Sequence, residues 1–360
     1  MIARFGSAPG RVDILQRKNI PSSGRACFLG AGARKLGRSR GALMTIRTSG
    51  QAPFAFEHCA DLHRLPASTA QAEVKLHGTF SVDKRPGQGE IYFGMPGCGI
   101  VRVSADLKSQ DLIELPAELS PLNFHSTKLT EIEGKLRLVL PANDAALVAV
   151  VSLDGKLDFV LSKPEFEQYQ NADAAFRPTD TTLHDGTLYV ADGYGSNYIS
   201  LADARARKWT SSFGGPAASP DEHGKFGTAH GITRTPAGDR LVISDRPNAR
   251  FELFTFDGQF SASYALPKGA WPCGIDYLHH GGRWYAAVGS LIDPVKDRPA
   301  PIYILDGETY EVLSTIRPKE ELGLGLVQHL HNVTWHVHDD RVYLVCQAWN
   351  PGFYFVLGQI

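Results

Sequence analysis

Between Lys225 and Gly258 the chain reads KFGTAHGITRTPAGDRLVISDRPNARFELFTFDG, and its apolar and polar positions alternate in short, regular blocks. His230 begins a strand, HGITRT, which ends at the turn Pro236-Ala237-Gly238-Asp239. Arg240 to Asp245 is a second strand, carried by Leu241, Val242 and Ile243. Pro247-Asn248 turns the chain again, Arg250 to Phe256 alternates in and out, and Asp257-Gly258 closes the hairpin. Short strands punctuated by Gly, Pro, Asn and Asp at this pitch predict an antiparallel sheet of about four strands, the unit of a propeller blade.

The same pattern recurs along the chain. Candidate blade openings are Leu76-His77-Gly78, Phe124-His125-Ser126, Pro178-Thr179-Asp180, Ala229-His230-Gly231, Pro272-Cys273-Gly274 and Leu330-His331-Asn332. Second strands are expected at Glu90–Phe93, Lys135–Leu140, Thr187–Ala191, Arg240–Ser244, Trp284–Val288 and Arg341–Cys346. Successive openings lie 48, 54, 51, 43 and 58 residues apart, the length that four short strands and their turns need. The expectation is therefore an all-β, six-bladed β-propeller of the NHL type over residues 51–360. After His331 there is room for only three strands, Asn332–His336, Arg341–Cys346 and Gly352–Leu357. The segment FAFEHCADLHR, residues 54–64, is expected to supply the missing one and close the ring, leaving fewer exposed edges.

Composition fits this picture. The 360 residues include 36 Gly and 22 Pro, as turn-dense β chains require. Helical periodicity is scarce; Lys319 to Leu322, after Pro318, is the main candidate. The formal net charge of −1 gives no global field toward nucleic acid or an anionic membrane. No apolar run approaches the roughly 18 residues of a membrane helix. Cys27, Cys59, Cys98, Cys273 and Cys346 show no CxxC spacing and read mainly as free thiols in a reducing compartment. Residues 1–50 differ, with ten Lys/Arg and one acid, Asp13, and many Gly and Ser. They read as a disordered basic extension, with Met44 an alternative start. No apolar stretch follows the basic residues, so a secretory signal is not expected and a cytoplasmic protein is.

In a propeller the first strand of each blade lines the central channel, so the opening residues form a ring: His77, His125, Thr179, His230, Cys273 and His331. Blades two, four and six stand about 120° apart and contribute His125, His230 and His331. Three converging imidazoles with an open position suit catalytic zinc. His77 falls on the same ring, as a fourth ligand, a supporting group or polar lining; the last is favoured. Tyr194, in ADGYGSNYI, and Arg246, in SDRPNARF, occupy nearly equivalent blade-top turns beside the ring. A tyrosine hydroxyl near a divalent metal can act as a base, and an arginine can hold a carboxylate in a bidentate pair. Asp192, Asp245 and Asn248 read as turn chemistry.

At these residues the sequence resembles the peptidyl-α-hydroxyglycine α-amidating lyase family, within the wider set of NHL-repeat propellers. The likeness spans about residues 75–360 and is strongest over 176–258. It implies a zinc held by His125, His230 and His331, a catalytic tyrosine at Tyr194 in its Asp-Gly-Tyr turn, and a catalytic arginine at Arg246 in its Asp-Arg-x-Asn turn. Three features depart from the family. Asn332 stands where the family has an acid with an active-site role. The family's structural Ca2+ is not traceable to residues here. Its second catalytic arginine has no assigned counterpart, although Arg85 and Arg102 lie in that region. Within these 360 residues no counterpart of the copper domain fused to animal members is expected.

The function expected from this reading is a zinc-dependent lyase that cleaves a carboxylate-bearing carbinolamine to an amide and glyoxylate. A metal-dependent lactone or ester hydrolase on the same ring is the alternative, which Asn332 strengthens. A non-enzymatic NHL-type binding scaffold is the third reading. The expected partner is a small-molecule or peptide substrate with a carboxylate, with neither nucleic acid nor membrane, and the protein is expected to be a monomer.

Overall fold

The computed structural model describes residues 47–69, 76–171, 173–349 and 352–360. They form six antiparallel sheets arranged as a six-bladed β-propeller. The blade singled out by its turns contains Ala229–Arg234, Leu241–Asp245, Arg250–Phe254 and Phe260–Ala265, in that order from the inside out. Its second and third strands are buried along their whole length, whereas the fourth is largely exposed or half-buried. That gradient explains the continuous apolar run LVI: the middle of a blade is covered on both faces by its neighbours.

The apolar core is accordingly divided among the blade interfaces. Val242, Phe251 and Leu253 of blade four pack with Ile275, Val288 and Leu305 of blade five. Equivalent clusters join blades one to two, two to three, three to four, and five to six. Ile91, Phe93 and Val101 of blade one meet Val345, Tyr354 and Val356 of blade six, which completes the ring.

Closure follows the expected route. Phe54–His58 pairs antiparallel with the last strand, Phe353–Gln359, through Phe56↔Gln359 and His58↔Leu357. Phe54 and Phe56 are buried beside the Trp335 ring, at centroid distances of 6.0 and 6.4 Å. Three expectations need correction. The sixth blade has five strands, because Thr48–Gln51 adds outside Phe54–His58, so the sheet begins before the boundary at residue 51. Ser49 anchors this added strand by accepting a bond from the Arg317 backbone N–H and donating to Glu321. Lys319–Leu322 forms turns rather than a helix; it is confined between Pro318 and Gly323, whose φ of +76° ends any helical run. The described helix longer than one 3-10 turn is Glu167–Gln170. Residues 1–46, including Cys27 and Met44, lie outside the described residues. Cys59, Cys98, Cys273 and Cys346 are free thiols. No described helix is long and apolar enough to cross a membrane.

Candidate active site

The opening residues converge through breaks in strand register. In blade four the pairing skips from Ala229 to Ile232, in blade five from Pro272 to Ile275, and in blade six from Leu330 to Asn332. His230, Cys273 and His331 sit in these β-bulges, which turn their side chains out of the ladder and toward the axis. His77, His125 and Thr179 precede the first strands of their blades instead of lying within them. The glycines beside the ring permit close approach. A Cβ on Gly231 would lie 2.5 Å from the Cys273 carbonyl oxygen, and one on Gly78 would lie 2.8 Å from that of Phe124.

The result is a cluster of four imidazoles. Ring centroids of His125, His230 and His331 lie 4.7 to 5.0 Å apart. His77 joins them at 4.5 Å from His125 and 4.7 Å from His331. His77, His125 and His331 can bring one nitrogen each to within 4.8 Å of one another, so a three-histidine group here could hold a metal ion. His230 is as close by ring position, but its Nε2 faces the Tyr194 hydroxyl at 3.2 Å.

The hydrogen bonds fit metal ligation. Nδ1–H of His125 donates to the Thr179 carbonyl at 2.7 Å, and Nδ1–H of His230 to the Cys273 carbonyl at 2.5 Å. Each bond fixes the tautomer that leaves Nε2 as a lone pair, the arrangement typical of metal-binding histidines. His125 Nε2 and both nitrogens of His331 are buried without a hydrogen-bond partner. Unpaired buried nitrogens are costly, and a cation would satisfy them. Burial holds His125, His230 and His331 well below the usual histidine range, with neighbouring imidazoles and Arg246 adding to the effect. Burial likewise pushes His77 down to about 4. All four are therefore neutral near pH 7.

Tyr194 and Arg246 reach this cluster from matching turns. The Tyr194 N–H donates to the Arg177 carbonyl, two residues before Thr179, and the Arg246 N–H to the Thr228 carbonyl, two residues before His230. Asp192 holds the first turn by accepting from the backbone of Arg177 and Ser196 and from the Tyr169 hydroxyl. Burial raises its pKa to about 6, against those bonds. Asp245 holds the second, accepting from Gly227, Thr228, Asn248 and Arg250. Gly193 is required, since a Cβ there would lie 2.2 Å from the Ala229 carbonyl oxygen.

Arg246 is 3 % exposed. Its Nη1 donates to the Tyr194 hydroxyl at 2.7 Å and its Nη2 to Cys273 Sγ at 3.0 Å, while Nε has no partner. Among the described residues it forms no ion pair. A buried guanidinium facing only a phenol, a thiol and neutral imidazoles is short of an anion. The Tyr194 hydroxyl is pushed up by burial, with Arg246 pulling it back, so it is protonated near neutral pH.

Asn332 points away from this chemistry. Its Oδ1 accepts the Phe80 backbone N–H at 3.1 Å. Asp180 and Asp276 do the same for Ile232 and Trp335, at 3.0 and 2.8 Å. These side chains stitch the first strand of one blade to that of another, and an amide serves as well as an acid. Arg85 pairs with Asp83 and Arg102 with Asp111, so neither supplies a second channel arginine. Sequence reasoning left His77 as lining and gave Cys273 no role. A cavity of about 790 Å³ lies at the far ends of the first strands, lined by Lys84, Lys128, Asp276 and Thr334. Its lysines are already paired, Lys84 with Asp276 and Lys128 with Asp180.

No family model matches the sequence. Among solved structures, a gluconolactonase from Xanthomonas campestris superposes with a TM-score of 0.56 at 11% identity, over 88% of this chain and 96% of that one. A virginiamycin B lyase from Staphylococcus aureus gives 0.41 at 16% identity, over 63% and 67% of the two chains. Hydrazine synthase from Kuenenia stuttgartiensis gives 0.41 at 12%, over 59% and 53%. The last two superpositions are too loose to carry weight. At 11% identity the first bears on architecture alone, and membership of the amidating-lyase family is not established; this chain is a six-bladed β-propeller similar in fold to the Xanthomonas enzyme.

Proposed function

We propose that the axial site holds one divalent metal, zinc, on His125, His230 and His331, and hydrolyses a lactone or ester that carries a carboxylate. The observation that carries this reading is Arg246, buried and, among the described residues, without an acid partner, hydrogen-bonded to Tyr194 against the imidazole cluster. The guanidinium supplies what a substrate carboxylate needs, two parallel donors in a water-poor site. A divalent ion, when bound, supplies Lewis acidity that polarises a carbonyl and lowers the proton affinity of water.

The chain's own groups account for the remaining tasks. His125 and His230 are held in the ligating tautomer by the carbonyls of Thr179 and Cys273. Arg246 binds and orients the carboxylate. The Tyr194 hydroxyl, protonated and 3.2 Å from His230 Nε2, is placed to give its proton to a leaving alkoxide. Asn332 is committed to Phe80, and no buried carboxylate among the described residues contacts the cluster to serve as a base. Hydrolysis, for which a bound divalent ion would lower the proton affinity of water, would have less need of such a base than carbinolamine cleavage. The Xanthomonas propeller's being a gluconolactonase makes a sugar-acid lactone that keeps a second, free carboxylate the first compound to offer.

The lyase is the second reading. It is favoured by the contact between Tyr194 and Arg246, which the Asp-Gly-Tyr and Asp-Arg-Pro-Asn turns create at the cluster. One experiment separates the two: metal-replete protein is given a panel of lactones and esters, and in parallel α-hydroxyhippurate, with glyoxylate measured. Lactone or ester turnover lost in Arg246→Gln supports the hydrolase. Glyoxylate released above the spontaneous rate, with no lactone or ester turnover, replaces it with the lyase.

A further inference from the structure

We infer that His77 is a hydrogen-bond donor to the substrate and not a metal ligand, its neutral tautomer being set by Asn123. This rests on the reading of the axial site as a metal and carboxylate site. The four imidazoles look alike by position, but their Nδ1 atoms have opposite partners. Those of His125 and His230 face backbone carbonyls, which only accept. That of His77 faces the Asn123 amide nitrogen at 3.1 Å, which only donates. Nδ1 of His77 is therefore the lone pair, and in a neutral imidazole the proton must then sit on Nε2. A protonated nitrogen cannot bind a metal.

A second contact supports this orientation of Asn123. The same Nδ2 lies 3.5 Å from Asp144 Oδ2, so its two hydrogens serve His77 and Asp144. Turning the amide would give its unpaired Oδ1 a partner on His77 but set that oxygen against the Asp144 carboxylate. Repulsion between an amide oxygen and an anion opposes the turn.

Exposure divides the cluster in the same way. His125, His230 and His331 are 0 to 1 % exposed, whereas His77 is partly exposed beside Trp349, at a ring distance of 5.9 Å. No described residue accepts from its Nε2. The His77 ring lies nearly parallel to that of Tyr194, at 6.3 Å. A carboxylate held by Arg246, beside Tyr194, would put the substrate's reacting oxygen among Tyr194, His77 and the buried imidazoles. A neutral N–H aimed there stabilises charge developing on that oxygen.

The test reads the tautomer directly. In protein labelled with ¹⁵N-histidine, long-range ¹⁵N–¹H correlations distinguish Nδ1–H from Nε2–H, and the His77 signals are those missing from His77→Gln. The inference predicts Nε2–H for His77, with and without metal, and a switch toward Nδ1–H in Asn123→Asp, whose carboxylate only accepts. Metal content should be unchanged in His77→Gln and His77→Leu. In whichever reaction the protein turns over, Leu should cost about 10²–10³ in rate while Gln, which keeps a donor, restores most of it. An Nδ1–H signal in the unmutated protein, metal lost from His77→Gln, or equal rate losses in Gln and Leu would each overturn it. Metal-free unmutated protein with the Nε2–H signal would instead sink the metal reading and leave the tautomer standing.

Discussion

Gly231→Ala puts the geometry at the axis under direct strain. Its new Cβ would meet the Cys273 carbonyl oxygen at 2.5 Å and Gly274 Cα at 2.7 Å, both backbone atoms. Reaching ordinary contact at 3.4 Å requires the Cys273 carbonyl to retreat from 2.5 Å, a shift of about 0.9 Å. That carbonyl is the acceptor that holds His230 Nδ1–H. Overpacking of this kind typically costs about 1–3 kcal/mol. At about 2 kcal/mol the melting temperature of a chain this size should fall by roughly 3 °C, so the fold survives. The metal site should suffer more, because losing the partner that orients a ligand typically costs about 10–100-fold in metal affinity. The assay is a thermal melt together with metal titration of chelator-stripped protein. Gly238→Ala is the control: its Cβ would meet nothing within 4 Å, but its φ of +70° carries a strain cost with no bearing on His230. A Gly231→Ala protein with unchanged metal affinity would refute the claim that the blade four–blade five contact positions His230.

Other substitutions probe the same frame. Arg246→Met should abolish carboxylate binding without loss of stability, because it removes a buried charge that has no ion-pair partner among the described residues; ligand titration and denaturant midpoints would show both. Asp192 carries a pKa raised to about 6, so the folded state holds its proton more tightly than the unfolded chain. Between about pH 4 and 6 its contribution to stability therefore falls as pH rises, by about 3 kcal/mol in all, and Asp192→Asn should flatten that slope in urea titrations at pH 4.5 and 7.5. Phe56→Ala, which empties a fully buried site under Trp335, should cost about 3–5 kcal/mol and loosen ring closure, read as a lower unfolding midpoint.

The blades were legible because each strand ends at a turn that only a few residues can make. Thr187–Ala191 matches its expected bounds, and the other second strands differ only at their ends. Closure by the segment 54–64 followed from counting strands after His331, although only its first part, Phe54–His58, forms the strand. Thr48–Gln51 escaped notice because TSGQ has no apolar alternation; its place depends on Ser49 meeting Arg317 and Glu321. Convergence of His125, His230 and His331 could be foreseen from repeated positions, but not the bulges that aim His230 and His331, since register depends on both strands. The structural role of Asn332 was hidden for a similar reason: its partner, the Phe80 N–H, lies 252 positions away in the chain. The split between His77 and the other imidazoles depends on which atom faces each Nδ1, and no spacing encodes that.

The central claim is that His125, His230 and His331 together hold one metal. Elemental analysis of protein purified without added metal tests it most directly, repeated for Ala variants at each of the three positions and at His77. The account predicts close to one zinc per chain in the unmutated protein and in His77→Ala, and little or none in His125→Ala, His230→Ala and His331→Ala. Full occupancy in His230→Ala, with loss in His77→Ala, would contradict it and move the ligand set to His77, His125 and His331.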